Sequence, residues 1–437
     1  MFKLILPLSL IIALRFLGLF LVLPILSVYA INLEGATTTL VGLAIGGYAL
    51  TQMIFQIPFG MFSDKVGRKG TIIAGLLLFI IGSLVCAMAS DMYTLLVGRF
   101  LQGSGAIAAV VIAMISDLVK EEQRPKAMAV MGSFIGMSFA ISMLAGPTIG
   151  AYAGVSTLFY ATAIMACISI YILVKKVPNP PKITHSYNGK SKFKEVFLNS
   201  NLVKMNITNF LQKGLMTFAF MIIPMVLIKT FSWDLKDLWQ VYLPAMILGI
   251  LAMAPAAIIA EKKGKFKEIL IIGVVLFAIS YLIIGTAQTA TMFGVGVVVF
   301  FVGFNMHEPI MQSLATKFAK VHQRGFTLAI FNSFGYLGTF LGGILGGVFY
   351  ESVSLNDIVM VIAVICVLWA VLIFTIPNPL KKKNLYISLE EINKEKLEGL
   401  HELDAIDEWY INNSENIAIV KYDQDKLSEE ALKKVLK

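Results

Sequence analysis

A short stretch between two long apolar segments carries an unusual concentration of ionisable side chains. Asp64, Lys65, Arg68 and Lys69 lie within six residues, and Gly60 and Gly67 accompany them. One charge at the centre of a bilayer costs on the order of 3 kcal/mol, so this stretch must be a tight aqueous turn between two membrane helices. Asp64 and Arg68 are four residues apart, which allows them either to pair over one helical turn or to lock neighbouring helices together.

A second polar group lies in the middle of a later apolar segment. Asn305, His307 and Glu308 occur together there, and Glu308 is the only carboxylate well inside any predicted span. A carboxyl group in apolar surroundings has a raised pKa and can exchange a proton near neutral pH. We therefore expect this group to carry protons or bind substrate. A structural ion pair of Glu308 with Lys213 or Arg15 is the alternative.

Further polar side chains recur at helical spacing in other apolar segments. Tyr48, Gln52 and Gln56 follow one another every four residues and so share one helix face. Such groups either join helices, at about 0.6 kcal/mol each, or line an adaptable cavity for amphiphilic molecules, and the sequence leaves both open. The residues expected at a substrate cavity are Arg15, Tyr48, Gln52, Gln56, Asn209, Lys213, Asn305, Asn332 and Tyr336.

The elements that must position these residues are membrane helices. The chain has 437 residues, of which 57% are hydrophobic and 14% charged, and its mean hydropathy is +0.80. Soluble domains are about half apolar and about a quarter charged. Segments long enough to cross a bilayer recur about twelve times, and the first is too long for the apolar region of a signal peptide. The three cysteines have no metal-binding spacing, so no metal site is expected.

The positive charge of the chain is unevenly distributed among the loops. The formal net charge is +9, and Lys and Arg crowd every second loop, as in residues 120–126 and 262–267. The positive-inside rule then puts both termini in the cytoplasm, which requires an even number of spans and fits twelve. Because topology explains the charge, we expect the lipid bilayer as a partner and no nucleic acid.

The chain divides into two similar parts. We predict a six-helix bundle over 1–177, a proline-rich cytoplasmic linker over 178–202 and a second six-helix bundle over 203–380. Glu261 and Lys265 in the second part repeat the spacing of the charged turn, and we expect them to serve mainly orientation and packing. Parallel six-helix repeats are typical of transporters with a substrate site between the halves.

The last part of the chain has a different chemistry. Residues 384–437 hold seven Lys and thirteen acidic residues, a net charge of −6. Their pattern predicts strands over 385–389, 405–411 and 417–423, and helices near 391–403 and over 425–436. This βαββα order predicts a small cytoplasmic domain of ferredoxin-like type, which would dock by charge on the Lys-rich membrane face and modulate transport. A charged tail without a fold is the alternative.

Three motifs together resemble signatures of the major facilitator superfamily. The turn at 60–70 is similar to its signature between helices 2 and 3. A second motif resembles its helix 4 signature, and a third, in helix 5, resembles that of its twelve-helix drug:proton antiporter branch. The residues of these two motifs are Arg99, Gln102, Gly103 and Gly105, then Gly146, Pro147 and Gly150. Tyr48–Gln52, Phe304 to Glu308 and the C-terminal domain resemble the YajR-like subgroup of that branch. The resemblance implies an all-α membrane protein with twelve transmembrane helices in two six-helix repeats, plus the small α/β domain.

The resemblance also implies roles for individual residues. Asp64 would cap a helix of the opposite half in one conformation, while Arg68 pairs with Asp117 at the end of helix 4. Arg99 would belong to the proton-responsive machinery, and a structural arginine bonded to helix carbonyls is the alternative. Drug antiporters often carry an acid in helix 1, where this chain has Arg15. The implied sets are Gly60, Asp64, Gly67, Arg68, Lys69 and Asp117 for a conformational switch; Glu308, His307, Arg99 and Asp117 for proton coupling; and Gly146, Pro147 and Gly150 for a helix break and bend.

The sequence indicates transport rather than catalysis. It contains no nucleophile triad and no phosphate-binding loop, so we expect neither an enzyme nor ATP as the energy source. We expect a proton-driven exporter of small amphiphilic compounds that works by alternating access, without a cofactor, as a monomer in a bacterial inner membrane. The alternatives are a sugar or metabolite symporter or uniporter, and a transporter-like sensor that signals through the C-terminal domain.

Overall fold

Twelve long helical segments make up most of the molecule. The structure is a computed structural model, and it describes residues 2–120, 123–179, 193–319, 324–377, 382–392, 396–397, 399–412, 416–424 and 426–436. In this part of the chain, twelve segments are long and apolar enough to cross a membrane, which confirms the predicted fold class. The helices are α1 (Phe2–Leu21), α2 (Leu26–Ala30), α3 (Thr38–Val66), α4 (Arg68–Ala87), α5 (Met92–Ser104), α6 (Ala108–Leu118), α7 (Arg124–Ala153), α8 (Val155–Lys176), α9 (Phe193–Leu198), α10 (Ser200–Lys229), α11 (Trp239–Lys263), α12 (Phe266–Thr286), α13 (Ala290–Phe318), α14 (Arg324–Ser352) and α15 (Leu355–Phe374).

The spanning helices pack in two groups with the same internal pattern. In the first group α1 packs on α7, α4 on α8, and α3 on α5; in the second, α10 packs on α14, α12 on α15, and α11 on α13. In each group the first span therefore contacts the fifth, the third contacts the sixth, and the second contacts the fourth. We call these groups the first and second halves. Most of the predicted linker lies outside the described residues, and the helix of the seventh span begins at Ser200, slightly before the predicted bound.

A seam of glycines joins the two halves at one end of the bundle. We call the end that holds the 60–70 turn the motif end, and the opposite end the far end. At the far end α3 lies directly on α14, and a Cβ atom at Gly42 would overlap the carbonyl oxygen of Gly343. Gly46 and Gly347 meet the facing backbone in the same way. Small residues let helix backbones approach this closely, so the far end is closed in this conformation.

Replacing Gly343 by leucine should hold the far end open. Overpacking costs about 1–3 kcal/mol, so the closed state should lose about five- to 150-fold in relative population. Spin labels at Glu34 and Ser352, which are both exposed near this end, would report a longer distance. The control is Gly338→Leu, which meets the Phe210 carbonyl inside the second half and should lower the melting temperature instead. An unchanged distance in the Gly343 variant would contradict a seam that opens.

Glycines also explain where helices are interrupted and where they are not. The fourth span consists of α5 and α6, which are separated at Gly105, where a Cβ atom would overlap the carbonyl oxygen of Gly75. In contrast, α7 runs without interruption through Gly146 and Pro147, so the predicted break there was wrong. A proline within a membrane helix is tolerated when neighbouring helices support the freed carbonyl. A Cβ atom at Gly146 would overlap the carbonyl oxygen of Leu21, where α1 ends. The helix that is interrupted at this contact is therefore the first predicted span, between α1 and α2.

The C-terminal part forms a small α/β unit. Its strands are β1 (Lys382–Ser388), β2 (Ile406–Asn412) and β3 (Ile417–Asp423), followed by helix α16 (Glu429–Leu436). They form an antiparallel sheet in the order β1-β3-β2, the order that a βαββ unit of ferredoxin-like type gives. A separate apolar core lies under the sheet. The strands agree with the prediction within three residues, whereas α16 begins four residues later than predicted. Of the predicted helix near 391–403, residues 396–397 are helical and Gly399–Glu402 form a 3₁₀ turn; the rest lies partly outside the described residues.

This unit contacts the membrane bundle through the end of α13. Lys421 of β3 is buried, and its Nζ donates to the carbonyl oxygens of Lys317 at 3.2 Å and Ala319 at 3.0 Å. The last carbonyls of a helix lack partners within it and carry partial negative charge, so a cation stabilises them. The sequence predicted that the negative charge of the domain would attract it to the Lys-rich face of the bundle. At this contact the charges are reversed, because the domain supplies the cation and the end of α13 supplies the partial negative charge.

Replacing Lys421 by methionine should loosen the domain from α13 while the sheet stays folded. A hydrogen bond from a charged donor contributes about 1.5–3 kcal/mol, so docking should weaken by at least about tenfold. Hydrogen exchange should become faster at the end of α13 and stay unchanged in β1 and β2. Lys426→Met, which removes an exposed contact with Asp404 within the domain, is the matched control. Unchanged exchange at α13 would show that Lys421 does not hold the domain.

Candidate functional site

The charged turn is built around one arginine. Gly67 separates α3 from α4 and has a φ of +107°, a conformation that glycine adopts at low cost. Arg68, the next residue, lies with its Nη1 2.5 Å from Oδ1 of Asp64, and the same nitrogen donates to Oγ of Ser63 at 2.6 Å. Its Nε donates to Oδ2 of Asp117 at 2.9 Å, at the end of α6. Both arrangements that the spacing allowed, a pair over one turn and a lock between helices, are therefore present.

The members of this turn differ in how strongly they are held. The side chain of Asp117 is 16% exposed and that of Asp64 is 63% exposed, so the lock to α6 is the better shielded of the two ion pairs. Gly60 contributes its carbonyl, which accepts from Ser63 Oγ at 2.6 Å. Lys69 follows in α4 and is half-buried. In this conformation the described ion pair of Asp64 is with Arg68, and the implied cap on the opposite half is not seen among the described contacts.

The second half has a related contact at the same end. Glu261, at the end of α11, accepts from Ser313 and forms an ion pair with Lys317, both on α13. This resembles the lock between Arg68 and Asp117, with the acid and the base exchanged. The repeated turn was expected to serve orientation and packing, and the contact adds a link between helices. Since Lys317 also offers its carbonyl to Lys421, the C-terminal domain docks beside this link.

Arg99 is fully buried and bonded mainly to backbone. Its Nε donates to the carbonyl of Ala44 at 2.9 Å, and its Nη1 donates to Oε1 of Gln102 at 2.7 Å. A third, longer contact of 3.5 Å joins Nη2 to the carbonyl of Ile45. The guanidinium also lies 4.7 Å from the ring centre of Tyr48. These contacts favour the structural alternative, because each ties α5 to α3 or to itself.

The intramembrane acid has a cation beside it. Glu308 of α13 and Lys213 of α10 form an ion pair, and their side chains are 27% and 26% exposed. The Lys213 ammonium also lies 4.9 Å from the ring centre of Phe304. Of the two counter-charges that the sequence left open, the structure puts Lys213 next to Glu308, whereas Arg15 binds elsewhere. The acid and the base thus join α13 to α10, and both side chains remain partly exposed.

The polar residues near Glu308 in sequence make their described hydrogen bonds to other groups. His307 is fully buried, its Nε2 lies 2.7 Å from the carbonyl of Leu270 on α12, and its ring packs edge-on against Trp369. Asn305 donates to the carbonyl of Phe301 on its own helix at 2.8 Å. Successive helix residues point about 100° apart, so the adjacent His307 and Glu308 lie on different faces of α13, whereas Asn305 lies about one turn from Glu308 on the same side. The expectation that the three residues form one group was therefore wrong for His307, and the described hydrogen bond of Asn305 is to its own helix.

A polar chain crosses between the halves near the centre of the bundle. Nη2 of Arg15 on α1 donates to Oε1 of Gln52 on α3 at 2.9 Å. The amide nitrogen of Gln52 donates in turn to the hydroxyl of Tyr336 on α14 at 2.7 Å. The three residues were predicted for one cavity from separate helices, and the structure brings them into contact. Because Gln52 and Tyr336 lie in opposite halves, this contact must change when the halves move.

Of the other predicted cavity residues, one joins two helices and three are buried or half-buried. Asn209 donates to the carbonyl of Phe331 at 2.7 Å and so joins α10 to α14, as helix-joining groups do. Gln56 is buried one turn beyond Gln52, and its Oε1 has no partner among the described residues. Tyr48 is also buried, beneath Arg99. Asn332 is half-buried on α14.

An aromatic cluster between the halves was missed by the sequence reasoning. The ring of Phe139 on α7 lies 6.1 Å from Phe220 on α10, and 6.2 and 6.0 Å from Phe301 and Phe304 on α13. We call these four residues the aromatic cluster. The chain has 30 Phe, and nothing in their spacing distinguishes these four. Phe139 and Phe220 meet edge-to-face, the other two pairs are tilted, and all four side chains are buried. In this conformation the cluster therefore packs the two halves together.

Comparison with known proteins agrees with this architecture. The sequence profile described as Major Facilitator Superfamily matches residues 8–342 and 255–403. The inner membrane transport protein YajR of Escherichia coli (strain K12) is 35% identical over 420 residues, which cover 94% of this chain and 92% of that protein. Multidrug resistance protein 1 of Bacillus subtilis (strain 168) is 27% identical over 346 residues, 77% of this chain and 87% of that protein.

A solved structure supports the fold independently of sequence. The crystal structure of a D-xylose-proton symporter has a TM-score of 0.72 at 16% identity, covering 86% of this chain and 98% of that chain. At this identity the likeness concerns the fold alone. The profile and the long match to a membrane transport protein make the molecule a multi-pass transporter and not an enzyme. On this evidence, the chain belongs to the major facilitator superfamily.

Proposed function

We propose that this protein is a proton-coupled antiporter that exports small amphiphilic compounds by alternating access. The observation that carries the proposal is the contact of Glu308 with Lys213 between helices, at Phe304 of the aromatic cluster. A partly exposed acid thus lies beside apolar rings, which is the combination that a binding site for an amphiphilic compound needs. The name of the Bacillus subtilis relative, a multidrug resistance protein, supports this substrate class.

The conformation suggests how the substrate enters. The glycine seam closes the far end, so access in this state is from the motif end. Lys and Arg crowd the motif end, and the positive-inside rule assigns it to the cytoplasm with both termini. A compound would enter from the cytoplasm, and the halves would then close at the motif end and part at the seam. We propose the inner membrane of a bacterium as the location, as for the Escherichia coli relative, and a monomer as the working unit.

The coupling step is an exchange of partners at Glu308. When Glu308 is ionised, it holds Lys213 in an ion pair. A proton that arrives from outside neutralises the carboxylate and frees the ammonium, which changes the charge that faces the substrate. Because release of the substrate outward and uptake of the proton would occur in the same conformation, each cycle exchanges one for the other. The network of Arg68 with Asp117 would stabilise the present conformation and so bias the rocking of the halves.

Proton movement in reconstituted vesicles tests this proposal. Purified protein is inserted into liposomes that contain a pH-sensitive dye, and candidate amphiphilic compounds are added to one side. We expect proton movement opposite to compound movement. Movement of both in the same direction would identify a symporter instead. Specific binding of a compound without any flux of compound or protons would favour the sensor alternative.

A further inference from the structure

Arg15 is a buried cation without a counter-charge among the residues that the structure describes. Its side chain is fully buried on α1, and Nη2 donates a hydrogen bond to Gln52. Nε and Nη1 make no hydrogen bond with any residue that the structure describes, and no ion pair of the described residues involves Arg15. Leaving a buried charge without a counter-charge is strongly unfavourable unless some other molecule supplies one.

The contrast with Arg99 shows that this arrangement is particular to one site. Both arginines are fully buried in the first half, and each lies over an aromatic ring. All three nitrogens of the Arg99 guanidinium contact oxygen atoms of Ala44, Ile45 or Gln102. The protein therefore gives each guanidinium nitrogen of Arg99 an oxygen partner. Arg15 keeps two nitrogens unbonded at the same level of burial.

The unbonded groups lie next to the interface that must open during transport. Gln52 binds Arg15 with its oxygen and Tyr336 of the opposite half with its nitrogen. Arg15 is thus one side chain behind the interface between the halves, so a compound that enters there would reach it by displacing Gln52. The rings of Phe79 and Phe16 lie 5.3 and 5.7 Å from the guanidinium carbon and stabilise the cation without neutralising it.

We infer that the exported compound carries an anionic group, such as a carboxylate, and that Arg15 binds this group through Nε and Nη1. This inference rests on the proposed transport function and adds the chemical class of its substrate. The apolar part of the compound would lie toward the aromatic cluster. Lys213 does not need to supply the contact, because Glu308 already holds it. Export of one anion for entry of one proton moves two positive charge equivalents inward, so the membrane potential would drive the cycle strongly.

Matched amphiphiles that differ only in their head group test the inference. The probes are octyl, naphthyl and biphenyl compounds that carry a carboxylate, an uncharged amide or an ammonium group. Binding to the full-length protein in detergent is measured by titration and by the shift in melting temperature. We expect the carboxylates to bind more tightly than the matched amides and ammonium compounds. Arg15→Gln should weaken carboxylate binding by at least about tenfold and leave amide binding unchanged, and Arg15→Lys should restore part of it.

The stability of the ligand-free variants separates a binding role from a structural one. If Arg15 is kept for an anion, Arg15→Gln removes an unbalanced charge, and the melting temperature should stay the same or rise. Arg99→Gln, which breaks three contacts, should lower it. An equal loss in both variants would make Arg15 structural and overturn the inference, as would carboxylates that bind no better than the amides or ammonium compounds.

Flux measurements with the same compounds keep the two proposals apart. If carboxylates bind through Arg15 and cross the membrane without proton exchange, the substrate class stands and the proton-coupled antiport fails. If ammonium compounds are exchanged for protons and carboxylates are not, the antiport stands and the anionic substrate is rejected.

Discussion

Replacing Glu308 by glutamine should abolish the coupling of transport to protons while substrate still binds and exchanges. The amide has nearly the same shape as the acid but can neither release a proton nor hold Lys213 as an ion pair. One proton crossing about 150 mV supplies about 3.5 kcal/mol, enough for a gradient of a few hundredfold in an uncharged solute. Without coupling, that gradient should fall to about one. The measurement is steady-state accumulation in vesicles at an imposed pH difference.

Two variants distinguish coupling from damage to the site. Lys213→Met removes the other member of the ion pair and leaves Glu308 able to bind a proton, so coupling should persist with altered affinity. Asn305→Ala, next to Glu308 but bonded to its own helix, should change coupling little. If the Glu308→Gln variant still moves protons on addition of substrate, another group carries them, and Asp117 would be the next candidate.

Replacing Arg68 by alanine should reduce the transport rate by at least about tenfold, with insertion and folding nearly intact. Arg68 joins α4 to Ser63 and to Asp117, and its loss leaves the half-buried Asp117 carboxylate without its partner. Breaking such a charged contact costs about 1.5–3 kcal/mol, equal to about ten- to 150-fold in the population of the state that it stabilises. Arg68→Lys keeps the charge but loses the planar fork, and should recover only part of the rate.

A second variant in the same turn, Asp64→Asn, tests whether the turn also acts in the other conformation. The pair of Asp64 with Arg68 is largely exposed, and pairs of that kind contribute about 0–1 kcal/mol. If only the contacts in this conformation mattered, Asp64→Asn would transport nearly normally while Asp117→Asn would be impaired. The resemblance instead implies a second contact of Asp64 in the other conformation, so we expect Asp64→Asn to be crippled as well. Near-normal flux in both Asp64→Asn and Arg68→Ala would remove the switch role from this turn.

The sequence predicted best what apolar length and charge determine directly. Twelve spans follow from segment length, and the charged turn from the cost of burying its four ionisable groups. The contact of Lys213 with Glu308 could be named as one of two options, because so few charges lie within spans. The partner itself depends on how α10 and α13 pack, and no local pattern carries that information.

The errors arose where packing decides between faces of one helix. His307 and Glu308 are adjacent in sequence, yet one packs on α12 and the other meets α10. Gly146 and Pro147 were expected to break α7, but Gly146 instead makes room for the end of α1. Helix ends and glycine contacts depend on a second helix, so the sequence of one helix alone does not reveal them.

The strands of the C-terminal domain were predicted within three residues because alternating apolar residues mark them clearly. Its contact with the membrane bundle was not predicted, since it depends on the carbonyl groups that end α13. Net charge described the domain as acidic, whereas the buried contact uses one lysine. Composition averages over a surface, and a contact depends on the few atoms that meet.

The length of α3 gives the glycine seam a mechanical consequence. Gly46 lies at the seam and Gly60 near the motif end, and fourteen residue steps along α3 separate them by about 21 Å at a rise of 1.5 Å per residue. A rotation of about 15° about a point midway between them, an angle seen in other rigid-body switches, would move the two glycines by about 3 Å in opposite directions. The helix thus acts as a lever whose fulcrum lies between its two ends. Parting of the halves at the seam therefore brings them together at the motif end, and one rigid helix couples the two movements.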